Sequence, residues 1–277
     1  MDEVVGFLTQ KWDYGPEVCL AAYALFHSAR VRKVEKAEGK PIFWAESLVL
    51  TFFLAFGGGI LAPFLLGKPP VMFVNDLIVP LVTLFWILSH RAEGAVFTIL
   101  NAPVVKQVVA VLAEVFRANG LCSMVVLSNS NLKAGKDYPI PLWGPIFLGT
   151  IAGCGGLFLP LDKGLKASGR SLKHGAPWPL ESAFYGSAFF NIFVFDPNVG
   201  PYLRDAAAKV LGEGDLETQG KAIVAAFLCS CAILKTFLGP DFNPFTPIHN
   251  AMYTITGIPK PEAGGSPPTA AEKPKED

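Results

Sequence analysis

The sequence predicts an all-α membrane protein with seven transmembrane helices, built as two inverted three-helix repeats plus one extra helix. Hydrophobic residues make up 51% of the 277 positions. Charged residues make up only 17%, below the roughly 25% typical of soluble domains. The apolar residues form long blocks such as 42–66, which carries one charge, Glu46, and is long enough to cross a bilayer. Finally, one glycine-rich motif occurs twice.

Seven apolar segments give the predicted membrane spans. In chain order they are residues 16–28, 42–66, 71–89, 103–127, 142–161, 179–194 and 221–238. Residues 94–100 predict a short helix or bend ahead of the fourth span. Repeat one therefore covers about 14–92, repeat two about 103–196, and the seventh helix about 221–238. Together they form one membrane domain, residues 1–258.

The distribution of Lys and Arg predicts the orientation. The segments after the first, third and fifth spans, together with the carboxyl-terminal tail, carry thirteen Lys and Arg, and the opposite side carries six. Since cytoplasmic loops are enriched in these residues, we expect a lumenal amino terminus and a cytosolic carboxyl terminus. The tail at 259–277 is rich in Pro, Gly and charge and is expected to be disordered.

The repeated motif relates two spans of the chain. The stretch GGILAP at 58–63 corresponds to GGLFLP at 155–160, an offset of 97 residues. At the same offset Glu17-Val18 matches Glu114-Val115. The copies lie three spans apart, so they are expected to cross the membrane in opposite directions, as the inverted repeats of transporters do.

Glycines cluster inside the second and fifth predicted spans. The clusters are Gly57, Gly58 and Gly59, and Gly153, Gly155 and Gly156. Each glycine lowers helix propensity by about 1 kcal/mol relative to Ala, so adjacent glycines favour a broken helix lining a water-filled path. Close packing between helices through small residues is the alternative.

Three basic residues lie inside predicted spans: Lys106, Arg117 and Lys235. Lys106 and Arg117 are eleven residues apart, which is close to whole helical turns, so they share a face of the fourth span. Glu114 precedes Arg117 by three residues and can pair with it. Because charges inside a membrane are usually functional, we predict that Lys106, Glu114, Arg117 and Lys235 serve the pore or its gating.

Other classes of function have little support in the sequence. A net charge of zero argues against nucleic-acid binding. The four His and five Cys residues show no metal-ligand spacing, and no catalytic constellation is visible. We therefore expect neither an enzyme nor a metal protein.

Several short motifs resemble those of the trimeric intracellular cation (TRIC) channels. The matching stretches are FGGGIL at 56–61, LLGKP at 65–69, FxND at 73–76, PVVK at 103–106, EVxR at 114–117, GCG at 153–155 and SxxYG at 182–186. They occur in the family's order, and the similarity runs from about residue 14 to 255.

The resemblance implies a homotrimer with one pore through each subunit. Family members pass potassium and other monovalent cations, such as sodium, across endoplasmic or sarcoplasmic reticulum membranes and balance charge during calcium release. In eukaryotic members the fourth-span motif binds a phosphoinositide. Here Ala113 and Ala152 replace two lysines of the family pattern. We expect no cofactor, and we favour a gating or pore-facing role for Lys106 and Arg117 over a strong binding site for an anionic lipid.

The function expected from the sequence is a monovalent, potassium-type cation channel of an intracellular membrane. A secondary transporter with the same inverted repeats and helices broken at the midplane is the alternative. A non-conducting scaffold would explain the spans but not the glycine clusters.

The topology can be tested by cysteine labelling. A cysteine at Lys36 or Lys166 should react with an impermeant reagent only from the cytosol, and one at Lys133 only from the lumen, because an odd number of spans separates Lys133 from each of the other two. Labelling of all three positions from one side would contradict the seven-span arrangement.

Overall fold

The chain is described by a computed structural model that covers residues 2–39, 43–157, 177–212, 214–239 and 242–257. In these ranges the regular structure is helical. The α-helices are α1 Asp2–Leu8, α2 Gly15–Glu38, α3 Trp44–Leu65, α4 Ile78–Arg91, α5 Glu93–Asn101, α6 Pro103–Asn131, α7 Trp143–Cys154, α8 Trp178–Phe195, α9 Gly200–Leu211, α10 Leu216–Leu238 and α11 Thr246–Thr256. Two short 3₁₀ turns, Val71–Phe73 and Gly155–Leu157, precede α4 and follow α7.

Three of these helices are long and apolar enough to cross a membrane: α3, α6 and α10. Two more, α4 and α7, are apolar but shorter. The predicted all-helical membrane fold is confirmed, and the predicted short helix at 94–100 is present as α5. The count of seven spans and the division into repeats at these boundaries stay predictions.

The first predicted span continues well beyond its expected end. The sequence predicts a loop after residue 28 that contains Arg30, Arg32, Lys33 and Lys36. That prediction is wrong, because α2 continues to Glu38. The charged residues of this stretch are good helix formers, so the helix ends only at Gly39, which adopts the left-handed conformation with φ 65°. The second half of α2 is therefore a charged helical extension.

The third predicted span begins later than its apolar residues suggest. Residues 71–73 form a 3₁₀ turn, and α4 starts only at Ile78. The Oδ1 atom of Asn75 accepts a hydrogen bond from the backbone N–H of Leu77 at 3.0 Å, which fixes a turn ahead of the helix. Pro80 falls in the first turn of α4, where its missing N–H has no cost.

The core of the fold is centred on α6. This helix packs against α2, α7, α8 and α10. Ala118, Leu121, Cys122 and Val125 of α6 have no exposed surface, and they contact buried residues of α8 and α10 such as Phe190. The fourth predicted span is therefore the most enclosed long helix of the described residues, which explains how it can carry a buried charge.

The two glycine clusters meet where α3 crosses the end of α7. A Cβ atom at Gly58 would lie 2.3 Å from the carbonyl oxygen of Ile151, and one at Gly155 would lie 2.1 Å from the Cα of Gly58. No side chain fits between these backbones. The structure therefore favours close packing through small residues.

The predicted helix break at Gly57, Gly58 and Gly59 is wrong, because α3 runs without interruption from Trp44 to Leu65. The second cluster behaves differently. Gly153 lies inside α7, while the helix tightens into a 3₁₀ turn at Gly155. Of the two glycine clusters, only the second contains a change of helical geometry.

Some predictions concern positions outside the described residues. These are the disordered tail at 259–277, most of the basic loop after the fifth span with Lys163, Lys166, Arg170 and Lys173, and the last residues of the fifth span itself.

A glycine substitution series tests the crossing. Gly58→Ala and Gly155→Ala should each destabilise the protein, by about 1–3 kcal/mol as for other overpacked sites, because the new methyl group meets backbone atoms. Gly120→Ala in α6 is the matched control, since a Cβ there meets nothing within 4 Å and should stabilise the helix by up to about 1 kcal/mol. Thermal unfolding of the purified variants measures all three; equal stability of the three would contradict the crossing.

Candidate functional site

Arg117 is the centre of a buried polar junction between α6, α7 and α8. Its side chain is 7% exposed. Nε donates to Glu114 Oε2 at 2.6 Å. Nη1 donates to the carbonyl oxygens of Gly153, at 3.2 Å, and of Pro179, at 3.0 Å. Nη2 donates to Ser182 Oγ at 3.0 Å. One guanidinium therefore ties the end of α7 to the start of α8.

The position of Gly153 in its helix explains why its carbonyl is available. The last carbonyls of an α-helix have no partner within the helix, and Gly153 lies in the last turn of α7. Pro179 lies in the first turn of α8, next to Trp178. The indole ring of Trp178 lies 5.3 Å from the Cζ atom of Arg117, which places the cation over an aromatic face.

Pairing with Glu114 neutralises the charge of this site. Arg117 Nη2 also lies 2.6 Å from Glu114 Oε2, and the Glu114 side chain is 15% exposed. A lone guanidinium inside a membrane protein is strongly unfavourable, whereas a paired and fully hydrogen-bonded one is tolerated. The guanidinium and the carboxylate together therefore carry no net charge.

The structure separates Lys106 from this junction. Lys106 lies three residues after Pro103 at the start of α6 and is exposed. Eleven residues of α-helix place it about 16 Å along the axis from Arg117. On the helix face that the spacing predicts them to share, Lys106 is exposed and Arg117 is buried. The two residues therefore do not form one site.

Lys235 lies in the last turn of α10. Its Nζ donates to the carbonyl oxygen of Phe242 at 3.3 Å. A lysine in the last turn of a helix also interacts favourably with the helix dipole. The contact favours a role in holding the chain after α10, and the predicted role in the pore stays a prediction.

A second polar cluster beside Arg117 was missed by the sequence analysis. Glu181 in α8 is 8% exposed. Its Oε2 accepts a hydrogen bond from Asn243 Nδ2 at 3.0 Å, and its Oε1 contacts His249 Nε2. Glu181 directly precedes Ser182, a partner of Arg117. The acidic residue at the start of the sixth apolar segment was the available signal, but nothing in the sequence indicated that residues 243–249 return to it.

A cavity of about 480 Å³ lies beside this cluster, between α7 and α8. Its lining is mostly apolar and consists of Phe147, Thr150, Ile151, Leu180, Glu181, Phe184 and Tyr185. Thus the Arg117 junction, the second glycine cluster and the cavity all lie along one pair of helices.

The fold and this site define a polytopic helical membrane protein with a buried ion pair where its helices meet. Solved structures of TRIC channels share the fold. One described for its activity as a counter-ion channel in calcium release is 19% identical, with a TM-score of 0.63 over 86% of this chain and 99% of that chain. A C. elegans TRIC channel without Ca²⁺ is 17% identical, with a TM-score of 0.61 over 84% and 96%.

A third structure, described for conductance through TRIC cation channels, is 17% identical, with a TM-score of 0.55 over 85% of this chain and 93% of that chain. Neither a protein-family model nor a curated protein sequence matches this chain. At 17–19% identity, this structural similarity shows that the chain shares the fold of these channels. The resemblance seen in the sequence motifs is confirmed at the level of the fold.

A double-mutant cycle tests the buried pair. Arg117→Gln should destabilise the protein by about 3–5 kcal/mol, because it leaves the Glu114 carboxylate buried without its charged partner. The double variant with Glu114→Gln should be less destabilised than the sum of the two single variants. Unfolding in detergent measures the cycle, and strictly additive effects would show that the two charges do not interact.

Proposed function

We propose that the protein is a monovalent cation channel with one pore through each subunit of a homotrimer. The observation that carries the proposal is the TRIC-channel fold, matched over most of both chains. The motifs at 56–61, 114–117 and 153–155 resemble those of the same family. A potassium-type counter-ion current in an endoplasmic or sarcoplasmic reticulum membrane is the activity that this resemblance implies.

The ion pair at Arg117 removes an objection to a cation channel. An unpaired fixed charge near the path would repel a passing cation by several kcal/mol at low effective dielectric. Glu114 cancels that charge at 2.6 Å, so no lipid phosphate is needed to neutralise it. We infer that Arg117 acts mainly by holding the ends of α7 and α8, and that its effect on conduction follows from their position.

Lys106 has a separate place in the proposal. It is exposed at the end of α6 nearest α5, where a positive charge acts on ions as they approach. Removal of this charge should change the unitary current and leave the fold intact. An anionic lipid at Lys106 is a further proposal from the sequence, and the distance from Arg117 argues against one headgroup contacting both residues.

Single-channel recording in planar bilayers tests the function. The purified protein should give unitary potassium currents, and Lys106→Gln should change their amplitude or voltage dependence. Lys209→Gln in α9, an exposed lysine outside the predicted spans, is the matched control and should behave as wild type. Solute flux coupled to an ion gradient, without unitary currents, would instead favour a secondary transporter.

The oligomeric state is a separate prediction. Mass measurement of the detergent-solubilised protein should give three copies of the 29.7 kDa chain. A monomer that still conducts would contradict the trimer and leave the proposal of one pore per subunit in place.

A further inference from the structure

The last helix, α11, is almost uncovered in the described part of the chain. Nine of its eleven residues are exposed, and only His249 and Tyr253 are half-buried. An isolated helix of fewer than about 12 residues is only marginally stable in water. Yet α11 is a complete helix, with Pro247 in its first turn and Gly257 in the left-handed conformation at its end. Its exposed surface therefore needs a partner that holds the helix in shape.

One side of this exposed surface is apolar. Ile248, Met252 and Ile255 are spaced by four and three residues, so they lie on one face of the helix. They are 41%, 52% and 78% exposed, and we call these three residues the apolar stripe. His249 faces the rest of the protein, where it contacts α8. Asn250 lies nearly opposite the stripe, since it is two residues from Ile248 and Met252 in a helix of 3.6 residues per turn.

The chain between α10 and α11 returns along α10, a helix long and apolar enough to cross a membrane. The ring of Phe245, which is 5% exposed, lies 6.2 Å from the ring of Phe227 and 5.3 Å from the ring of Tyr185. Phe227 precedes the end of α10 at Leu238 by eleven residues, or about 16 Å. Helix α11 therefore begins beside the middle of a membrane-crossing helix.

A polar contact places the first turn of α11 nearer to the membrane surface. Glu181, in the first turn of α8, contacts His249 and accepts a hydrogen bond from Asn243 Nδ2 at 3.0 Å. Trp178 begins α8 three residues earlier, and tryptophans at helix ends are typical of the boundary between headgroups and acyl chains. We infer that α11 runs outward from the depth of Phe245 to that boundary.

The composition of this segment favours lipid as the partner. Residues 242–259 contain no Asp, Glu, Lys or Arg, and an amphipathic helix at a membrane surface buries its apolar face about 5–10 Å deep. The parts of the chain outside the described ranges are poor covers for an apolar face, because residues 158–176 carry four Lys and Arg and residues 258–277 carry seven charged side chains. Three side chains are also a much smaller surface than the roughly 800 Å² per partner of a stable protein interface.

We propose that α11 is an interfacial helix, and that its apolar stripe inserts between the acyl chains of uncharged phospholipids in the same membrane. The helix then lies at the boundary between headgroups and acyl chains, with His249 facing Glu181 and Asn250 facing water. This inference rests on the membrane fold alone, so it holds whether or not the protein conducts ions.

Spin-label accessibility tests the position of the stripe. A nitroxide is attached to Met252→Cys or Ile255→Cys in the full-length protein, in nanodiscs of phosphatidylcholine. Collisions with oxygen, which partitions into acyl chains, should exceed collisions with a water-soluble nickel complex several-fold. Asn250→Cys, on the opposite face, is the matched control and should show the reverse order. The five native cysteines are buried, so the unsubstituted protein should take up little label.

Three results would overturn the proposal. More collisions with nickel than with oxygen at Met252 and Ile255 would place the stripe in water. An immobile label there that neither reagent reaches would mean that protein covers the stripe, either a second copy or residues 158–176. Replacing part of the phosphatidylcholine with phosphatidylserine should leave the accessibilities unchanged, and a stripe that enters the membrane only with the anionic lipid would contradict the choice of uncharged lipid.

Hydrogen–deuterium exchange in the same nanodiscs tests whether lipid holds the helix in shape. Met252→Lys places a charge in the stripe, so the backbone of residues 246–256 should exchange several-fold faster than in wild type, while α6 keeps its protection. Asn250→Lys adds the same charge on the opposite face and should exchange as wild type does. Equal exchange of α11 in wild type and Met252→Lys would show that the stripe does not depend on an apolar surrounding.

Discussion

A guanidinium group inside a helical membrane protein must have its hydrogen bonds satisfied by protein, and the second repeat is arranged around that requirement. Arg117 has five N–H donors, which it directs to a carboxylate, two backbone carbonyls and a hydroxyl. The carbonyls come from the last turn of one helix and the first turn of the next. A single side chain thereby fixes where α7 ends relative to where α8 begins.

The same requirement explains why the two repeats differ despite their shared glycine motif. At the offset of 97 residues, the position that corresponds to Arg117 in repeat one is Leu20, which is apolar and 2% exposed. Among its described residues, repeat one therefore has no buried cation to bind the carbonyls of its second helix. Instead, Tyr23 donates one hydrogen bond to the carbonyl of Ala55 at 2.7 Å. Accordingly, α3 stays helical through Gly57–59, and α7 changes to a 3₁₀ turn at Gly155.

Hydrophobic length and motif order predicted the helical membrane fold and the positions of most long helices, because those features depend on local composition. The pairing of Glu114 with Arg117 was predictable for the same reason, since it follows from helical spacing. The close helix crossing at Gly58 was not predictable, because adjacent glycines permit both a helix break and a close crossing. The backbone of Ile151 in the neighbouring helix decides between the two. The contact of His249 with Glu181 depends on how the chain returns after α10, which no local pattern encodes.

The central claim is that Arg117 holds the ends of α7 and α8 together. Hydrogen–deuterium exchange of the full-length protein in nanodiscs, comparing wild type with Arg117→Lys, tests it most directly. Lysine keeps the charge beside Glu114 but has three donors on one atom, so it cannot reach both carbonyls and the serine together. The account predicts faster exchange around residues 150–157 and 178–183, with unchanged exchange in α2 and α4. Equal protection of both regions in the two proteins would contradict it.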